Sequence, residues 1–538
     1  MNFRMSGLEM AHNGIRRQRV EILWALTFIA GISFALHTLG IRQNLPYTPE
    51  ADEPIFVRAA INIAASGDLN PHWFGNPGST VIYPLAGLFR TWFAITHRGM
   101  FFHPDPNLRI SFEANPSEFY LLSRLLTIAY AVMCVPLVYK LGAKVFGKNV
   151  GLIGAWLSVL SPLAVMHARI VRTDSSATFY GLLSLWLCMK LYDRPGISRQ
   201  VLAGLAIGLA VATRYFMITL AVVLLAMDGL LIWRHRSSKN VPISLPLLMM
   251  IFIGLVAVIS GFVLSTPYFF LDFSTAMQNL RVEARRTHLG ADGLSPIGNL
   301  WFYLSRAIPN AMTWPCVVLV VFGLLVALWE CRPKQVLLVG FVGAFLGGIS
   351  LSPLHWHRWI IQILPVLALF GASGLYRMGL FLSHLSLPRR TILIGLLLLA
   401  SAWPLWRTIV VGIQGFNPTT RVLAREWILA NIPHGSRIAQ EAYTAPLGGT
   451  DYVVFEQFSL ASGRTLEDYS REGYQYLIVS SSMYGRYLAE PERYVNEVGF
   501  YQALFSSARL LQEFRPSNFQ GGPVVRIYEL MPPGQLGE

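Results

Sequence analysis

Apolar runs long enough to cross a hydrocarbon core, about 17 to 25 helical residues each, recur along most of this 538-residue chain and constrain its fold more than any other feature. In lipid every backbone N–H and C=O has to be bonded within the protein, so such runs predict a bundle of α-helices. Apolar runs and the charges between them give eleven expected spans, centred near residues 31, 130, 159, 183, 207, 224, 254, 318, 343, 367 and 401. The fifth and sixth are separated only by Thr213 and Arg214, and the fifth, LAGLAIGLAVAT, is short for a full crossing. Only 13% of residues are charged, about half the share of a soluble globular protein. The expected fold class is a polytopic α-helical membrane protein with a C-terminal soluble α/β domain.

A net charge of +14 invites a nucleic-acid partner, but the positions of the Lys and Arg exclude it. IRRQR, YKLGAKVFGK, YDRPGISR, WRHRSSK, CRPK and LPRR form one alternating set of inter-span loops, the pattern of cytoplasmic loops under the positive-inside rule. The N-terminus is then cytoplasmic, and everything after about Gly415 lies outside. The first run, EILWALTFIAGISFALHTLGI, is long for a signal-peptide core and lacks a small-residue cleavage site, so it reads as an uncleaved anchor. Cys134, Cys188, Cys316 and Cys331 fall in spans or at their cytoplasmic ends, so the outer parts have to fold without disulfides.

The expected organisation is a cytoplasmic tail over 1–20, a membrane region over 21–415 with a long outer loop at 43–117, and an extracytoplasmic α/β domain over 416–538. Within the loop, IFVRAAINIAASG has a helical apolar face at Ile55, Ala59 and Ile63, flanked by Val57 and Ile61, and is expected to lie on the membrane surface. Asn70, Pro71, Asn76, Pro77 and Gly78 then mark turns. A second outer loop, 266–299, carries Arg281, Arg285 and Arg286, suited to acidic lipid heads ahead of direct substrate binding. In the tail, NPTTRVLAREWILANIP reads as a Thr-capped helix with Val422, Trp427 and Ile428 inward. SRIAQEA, YQYLIVSS, ARLLQEF and VVRIYEL read as strands, and LEDYSRE and ERYVNEVGFYQALF as helices between them.

This topology collects the chemically interesting side chains on one face. Asp52 and Glu53 open the first outer loop; Asp174 lies in HARIVRTDSSATF with His167, Arg169 and Arg172; Arg214 ends the fifth span; His355, His357 and Arg358 lie in SPLHWHRWI. Arg binds two phosphate oxygens at once, and a carboxylate can accept the proton of an attacking hydroxyl. Plainer readings stand beside these. Asp52 and Glu53 are also ordinary solvated charge, Arg214 a residue snorkelling to the headgroups, and HWHR an interfacial anchor with Trp356 and Trp359 in the aromatic belt. The His-x-His pair lacks a third metal ligand, and His72 and His167 suit local hydrogen bonding.

The segments ADEPIFVRAAINIAASGDLNPHWFGNPGSTVIYPLAGL, ARIVRTDSSATF and HWHRWIIQILPVLALFGASGL resemble the bacterial branch of the dolichyl-phosphate-mannose protein mannosyltransferase family, which shares the GT-C fold with the lipid A aminoarabinose transferases. The tail segment REWILANIPHGSRIAQE is similar, more loosely, to the start of the soluble domain in related sequences. The resemblance implies an integral protein of a bacterial inner or plasma membrane. It implies an inverting transferase that moves a sugar from a polyprenyl-phosphate-linked donor to a hydroxyl of a protein, lipid or glycan acceptor at the outer face. Asp52 becomes the candidate base, Glu53 its neighbour in the donor or acceptor site, and Asp174 a second acid that orients a cationic partner or the acceptor. Arg358, Arg214 and His357 become candidates for the donor phosphate, and His72, His355 and Arg172 candidate substrate contacts. No cofactor is specified, and a requirement for divalent metal stays open. SPLHWHRW departs from the His-x-Arg-Tyr form of many members, which leaves the roles of His355 and His357 open. The alternatives are a multi-span transporter or flippase of lipid-linked saccharides, against which the mid-span positions are largely apolar, and a membrane-anchored binding protein whose tail acts alone.

Overall fold

The computed structural model describes residues 2–47, 50, 52–97, 103–239, 245–384 and 388–530. Residues 48, 49, 51 and 98–102 of the expected loop 43–117, and 531–538 of the tail, lie outside the described residues. The chain divides into two compact units: Met1–Thr38, Asp52–Arg286 and Gly293–Ile409 form one, and Leu39–Ala51, Thr287–Asp292 and Val410–Glu538 the other.

The first unit is helical. It opens with α1 (Asn2–Thr38), α2 (Glu53–Ser66), α3 (Ser79–His97), α4 (Asn107–Ala114), α5 (Pro116–Val145), α6 (Lys148–Ser158), α7 (Pro162–Ala168), α8 (Asp174–Asp193) and α9 (Ile197–Thr213). Longer helices follow at Thr219–Lys239, Leu245–Ser265, Trp314–Glu330, Pro333–Ser350, Leu364–Leu382 and Arg389–Gln414. Among the described residues seven helices are long and apolar enough to cross a membrane, nine if each of two bent pairs is one span. Ten of the expected centres fall on helices, and the one near 159 falls at the 63° break between α6 and α7. There Ser161 caps α7, its hydroxyl accepting from the Ala164 N–H at 3.3 Å, and Pro162 has no N–H with which to continue α6. By length and apolarity the count stands at seven to nine against the eleven expected, since α9 has only 17 residues and α8 opens on the polar turn DSSAT.

Two parts of the first outer loop differ from expectation. The helix read at 55–67 forms as α2 and ends at Gly67, whose φ of 80° a side chain would strain. It does not lie free on the surface: nine of its fourteen residues are buried, against α3, α4 and α5. Its alanines leave no bulk to hold those neighbours away. The stretch after the turns, read without structure, forms α3, which buries Val81, Ile82, Leu85, Phe89 and Phe93. Close backbone contact fixes α9 in turn, because a Cβ on Gly208 would collide with the Val258 carbonyl oxygen of the helix Leu245–Ser265.

The second unit contains a five-stranded sheet of β1 (Arg437–Glu441), β2 (Val453–Gln457), β3 (Tyr476–Ser480), β4 (Arg509–Phe514) and β5 (Val525–Glu529), in the order β2-β1-β3-β5-β4. The first three run parallel, and β5 is antiparallel to β3 and β4. Alternate residues cover opposite faces: Ile438 and Ile478 join Ala424 and Ile428 of the helix Thr420–Asn431, while Ala439, Leu477 and Val479 join Tyr469, Tyr501 and Leu504. Val422 is buried with Ile428, and Trp427 packs against that core half-buried; Thr419 stands at the cap position, but its side chain makes no capping bond.

At the end of β1, Glu441 is fully buried and accepts from the Tyr501 hydroxyl at 2.6 Å and the Ser480 N–H at 2.8 Å. Burial, stronger than these hydrogen bonds, pushes its carboxyl up to about 8. The unfolded chain titrates this group near 4.3. The stability tied to the neutral form is therefore complete below that pH and is lost as the pH rises toward 8. Thermal unfolding of the full chain is expected to shift to lower temperature between pH 5 and pH 8.5, and Glu441→Gln to flatten that dependence.

Candidate active site

The adjacent acids Asp52 and Glu53 face different partners. Glu53, the first residue of α2, is fully buried, and its two oxygens accept from Arg124 of α5, Nε at 2.9 Å and Nη2 at 2.8 Å. The Val171 N–H donates to the same carboxylate at 3.0 Å. Arg124 is 5% exposed, so the pair is a closed two-pronged clasp joining α2, α5 and the turn before α8.

Asp52 precedes α2 and makes no capping bond to it, which leaves its carboxylate for other partners. Its Oδ2 lies 2.6 Å from Nη1 of Arg358 and 2.9 Å from Nε of Arg172, and the side chain keeps 34% of its exposure. Burial pushes the Asp52 carboxyl up, but the Arg172 and Arg358 guanidiniums together outweigh it and hold the group below the usual aspartate range. Asp174, first residue of α8 and buried, pairs through Oδ1 with Arg214, and the Gln362 side chain lies against the same carboxylate. Arg214 stands in extended backbone just past α9, at φ −156° and ψ 125°, which turns its side chain back onto Asp174 and over the Phe216 ring. Arg358 and Gln362 both come from the 3-10 helix His357–Ile363.

Five of the expected residues thus meet: Asp52, Asp174, Arg172, Arg214 and Arg358 lie close enough for their charges to act on one another. His167 joins them, 3.2 Å from Arg172 through Nδ1. Among the described residues, Asp174 Oδ2 and the Nε atoms of Arg214 and Arg358 are buried without a hydrogen-bond partner, an arrangement that suits a polar ligand. The remaining candidates stand elsewhere. His72 pairs with Asp68 at 3.1 Å and faces Asp272 at 3.7 Å. His355 and His357 rest against Phe302, at ring separations of 4.6 and 4.7 Å. No group of three or more His, Cys, Asp and Glu side chains among the described residues is arranged to hold a metal ion. Arg124 and Gln362 were not singled out from sequence, although Arg124 is a cation within an apolar run, a pattern that marks buried pairing.

Residues 120–263, which carry Arg124, Arg172, Asp174 and Arg214, match the family model for dolichyl-phosphate-mannose-protein mannosyltransferase. The archaeal oligosaccharyltransferase AglB from Archaeoglobus fulgidus, solved with an inhibitory peptide and a dolichol-phosphate, superimposes with a TM-score of 0.53 at 13% identity, over 96% of this chain and 74% of that one. ArnT from Cupriavidus metallidurans, solved bound to undecaprenyl phosphate, gives a TM-score of 0.52 at 11% identity, over 97% of this chain and 99% of that one. The chain is a GT-C fold protein with a mannosyltransferase-like segment. No curated protein matches it in sequence. Within this GT-C fold, Glu53 and Arg124 are expected to serve stability. Arg124→Ala and Glu53→Gln each strand a buried charge or donor set and should cost about 3 to 5 kcal/mol, read as a large drop in melting temperature. Asp52→Asn, at a partly exposed pair, should cost far less in the same measurement.

Proposed function

We propose that this GT-C protein is an inverting glycosyltransferase that moves a sugar from a polyprenyl-phosphate-linked donor to a hydroxyl of a protein, lipid or glycan acceptor. The observation that carries this reading is the single Asp52 oxygen shared by Arg172 and Arg358, beside the Asp174–Arg214 pair. Among these five side chains three guanidiniums face two carboxylates, an excess of one positive charge that suits a donor phosphodiester, with Glu283 also acting on Arg358 from the side. The structurally similar proteins were solved with dolichol-phosphate and undecaprenyl phosphate, lipids of the class proposed here.

In the reaction Asp52 accepts the proton of the acceptor hydroxyl while the hydroxyl oxygen bonds to the anomeric carbon from the face opposite the phosphate. The carbon–oxygen bond to the phosphate breaks, and the diester leaves as a monoester with a second negative charge. Arg358, Arg214 and Arg172 stabilise that charge more in the transition state than before it. The shared arginines also couple binding to basicity: a donor phosphate competes for the guanidiniums that neutralise Asp52, so the carboxylate becomes a better base when donor is present. Asp174 holds Arg214 toward the phosphate, and Glu53 positions Asp52 through α2. We place this site on the non-cytoplasmic face, with residues 1–20 in the cytoplasm, the membrane region over 21–415 and the α/β domain over 416–538 outside, in a bacterial inner or plasma membrane. The alternating basic loops support that orientation.

With a polyprenyl-phosphate sugar and purified protein, Asp52→Asn should lower turnover about 10² to 10⁴-fold while lipid-phosphate binding persists; normal turnover would overturn the assignment. The acid limb of kcat/KM should lie below the ordinary aspartate range, and Arg358→Gln should move it upward, because one of the two guanidiniums that hold Asp52 ionised is lost. A transporter reading draws on Asp228, a buried acid within the span Tyr215–Arg234 that accepts from the Gln200 amide at 3.0 and 3.2 Å. Counterflow of a lipid-linked saccharide without product, lost in Asp228→Asn, would favour it.

A further inference from the structure

The end of α8 remote from Asp174 carries a second concentration of charge with a different composition. Lys190 stands sixteen residues after Asp174, about 24 Å along the helix axis, close to a bilayer's hydrocarbon thickness. Its ammonium lies 4.5 Å from the centroid of the Trp186 ring, one turn back on the same helix, and the ammonium of Lys140 on α5 lies 5.1 Å from the same centroid. The two charges are therefore within about 10 Å of one another, inside or near one Debye length.

Among the described residues no acid pairs with either of them. The nearest acid along α8 is Asp193, and both its oxygens are taken, by Lys144 at 2.5 Å and Lys334 at 2.5 Å. Among the described residues neither Lys140 nor Lys190 forms an ion pair, while Lys144 and Lys334 share the one carboxylate of Asp193. The C-terminal ends of α5 and α8 attract cations, but each offers only about half a charge, and a ring face adds about 0.5 to 1 kcal/mol at an exposed site. Lys140 is exposed, and Trp186 and Lys190 are half-buried, so the group opens outward from the helix pair rather than into the core. An indole at this depth is the amphipathic side chain that settles among lipid headgroups.

We infer that Trp186, Lys140 and Lys190 form a seat for the phosphate headgroup of an anionic phospholipid, in the leaflet opposite the Asp52 site. The indole lies against the glycerol region, and the two ammonium groups close on the phosphate oxygens. The site depends on neither the proposed transfer reaction nor its donor.

The test uses full-length protein in nanodiscs or mild detergent, titrated with phosphatidylglycerol and with phosphatidylcholine, and read by native mass spectrometry of retained lipid. Wild type should prefer phosphatidylglycerol, and Lys140→Gln with Lys190→Gln should weaken that preference about 25-fold, about fivefold for each lysine. The Lys140→Arg, Lys190→Arg variant should keep it. Lys148, exposed and hydrogen-bonded to Gln18, supplies a control. An equal loss in Lys148→Gln would show a diffuse charge effect and overturn the site, as would an unchanged preference in the double glutamine variant with its melting temperature intact. Displacement of the lipid by millimolar inorganic phosphate would also overturn it, since a free anion would then be the ligand.

Discussion

The buried clasp between Glu53 and Arg124 is the interaction on which the geometry of the site rests. Both side chains are out of solvent, and each satisfies the other through two parallel bonds, with the Val171 N–H completing the set. In a low-dielectric interior either charge alone would cost several kcal/mol, so α2, α5 and the turn before α8 are driven to meet at one point. Asp52 is set by this, being the residue just before the clasp. Two adjacent acids therefore take different tasks: one is consumed in holding three elements together, and its neighbour is left to face Arg172 and Arg358.

The other charged residues of the site stand where regular structure stops. Arg172 lies in the turn before α8, Asp174 begins α8, Arg214 follows α9 in extended backbone, and Arg358 lies in a 3-10 helix. Within a helix interior these charges would have to cross lipid or core, whereas at helix ends they find one another while the apolar lengths remain in the membrane. Backbone contact between α9 and the helix Leu245–Ser265 through Gly208 fixes the position from which Arg214 reaches Asp174.

Much of the architecture was legible as local pattern. The apolar runs, the α2 helix, four of five strands and three tail helices appear where hydropathy and period placed them, because each depends on a short window of chain. The helix α3 escaped because Asn76, Pro77 and Gly78 precede it and Pro84 and Arg90 interrupt its apolar character. β2 is a short strand at the sheet edge with Val453 half exposed, so it carries little alternation. Arg124 left a visible mark, a lone cation in an apolar stretch, but nothing local named Glu53 as its partner. The histidines are the opposite case: HWHR looks like a site in sequence, yet His355 and His357 turn to Phe302 while only Arg358 reaches Asp52.

By itself the sequence determined that this chain is a membrane-embedded helical protein with an α/β tail, since the transfer of apolar side chains from water is nearly additive along the chain and periodicity is a property of neighbours. Only the tertiary structure decided which charges are partners. Glu53 and Arg124 are 71 residues apart, and Asp52 and Arg358 are 306 apart. A bond of about 3 Å between side chains so distant depends on how every intervening helix packs, so no local pattern could tell the acid that holds the structure from the acid that faces the arginines.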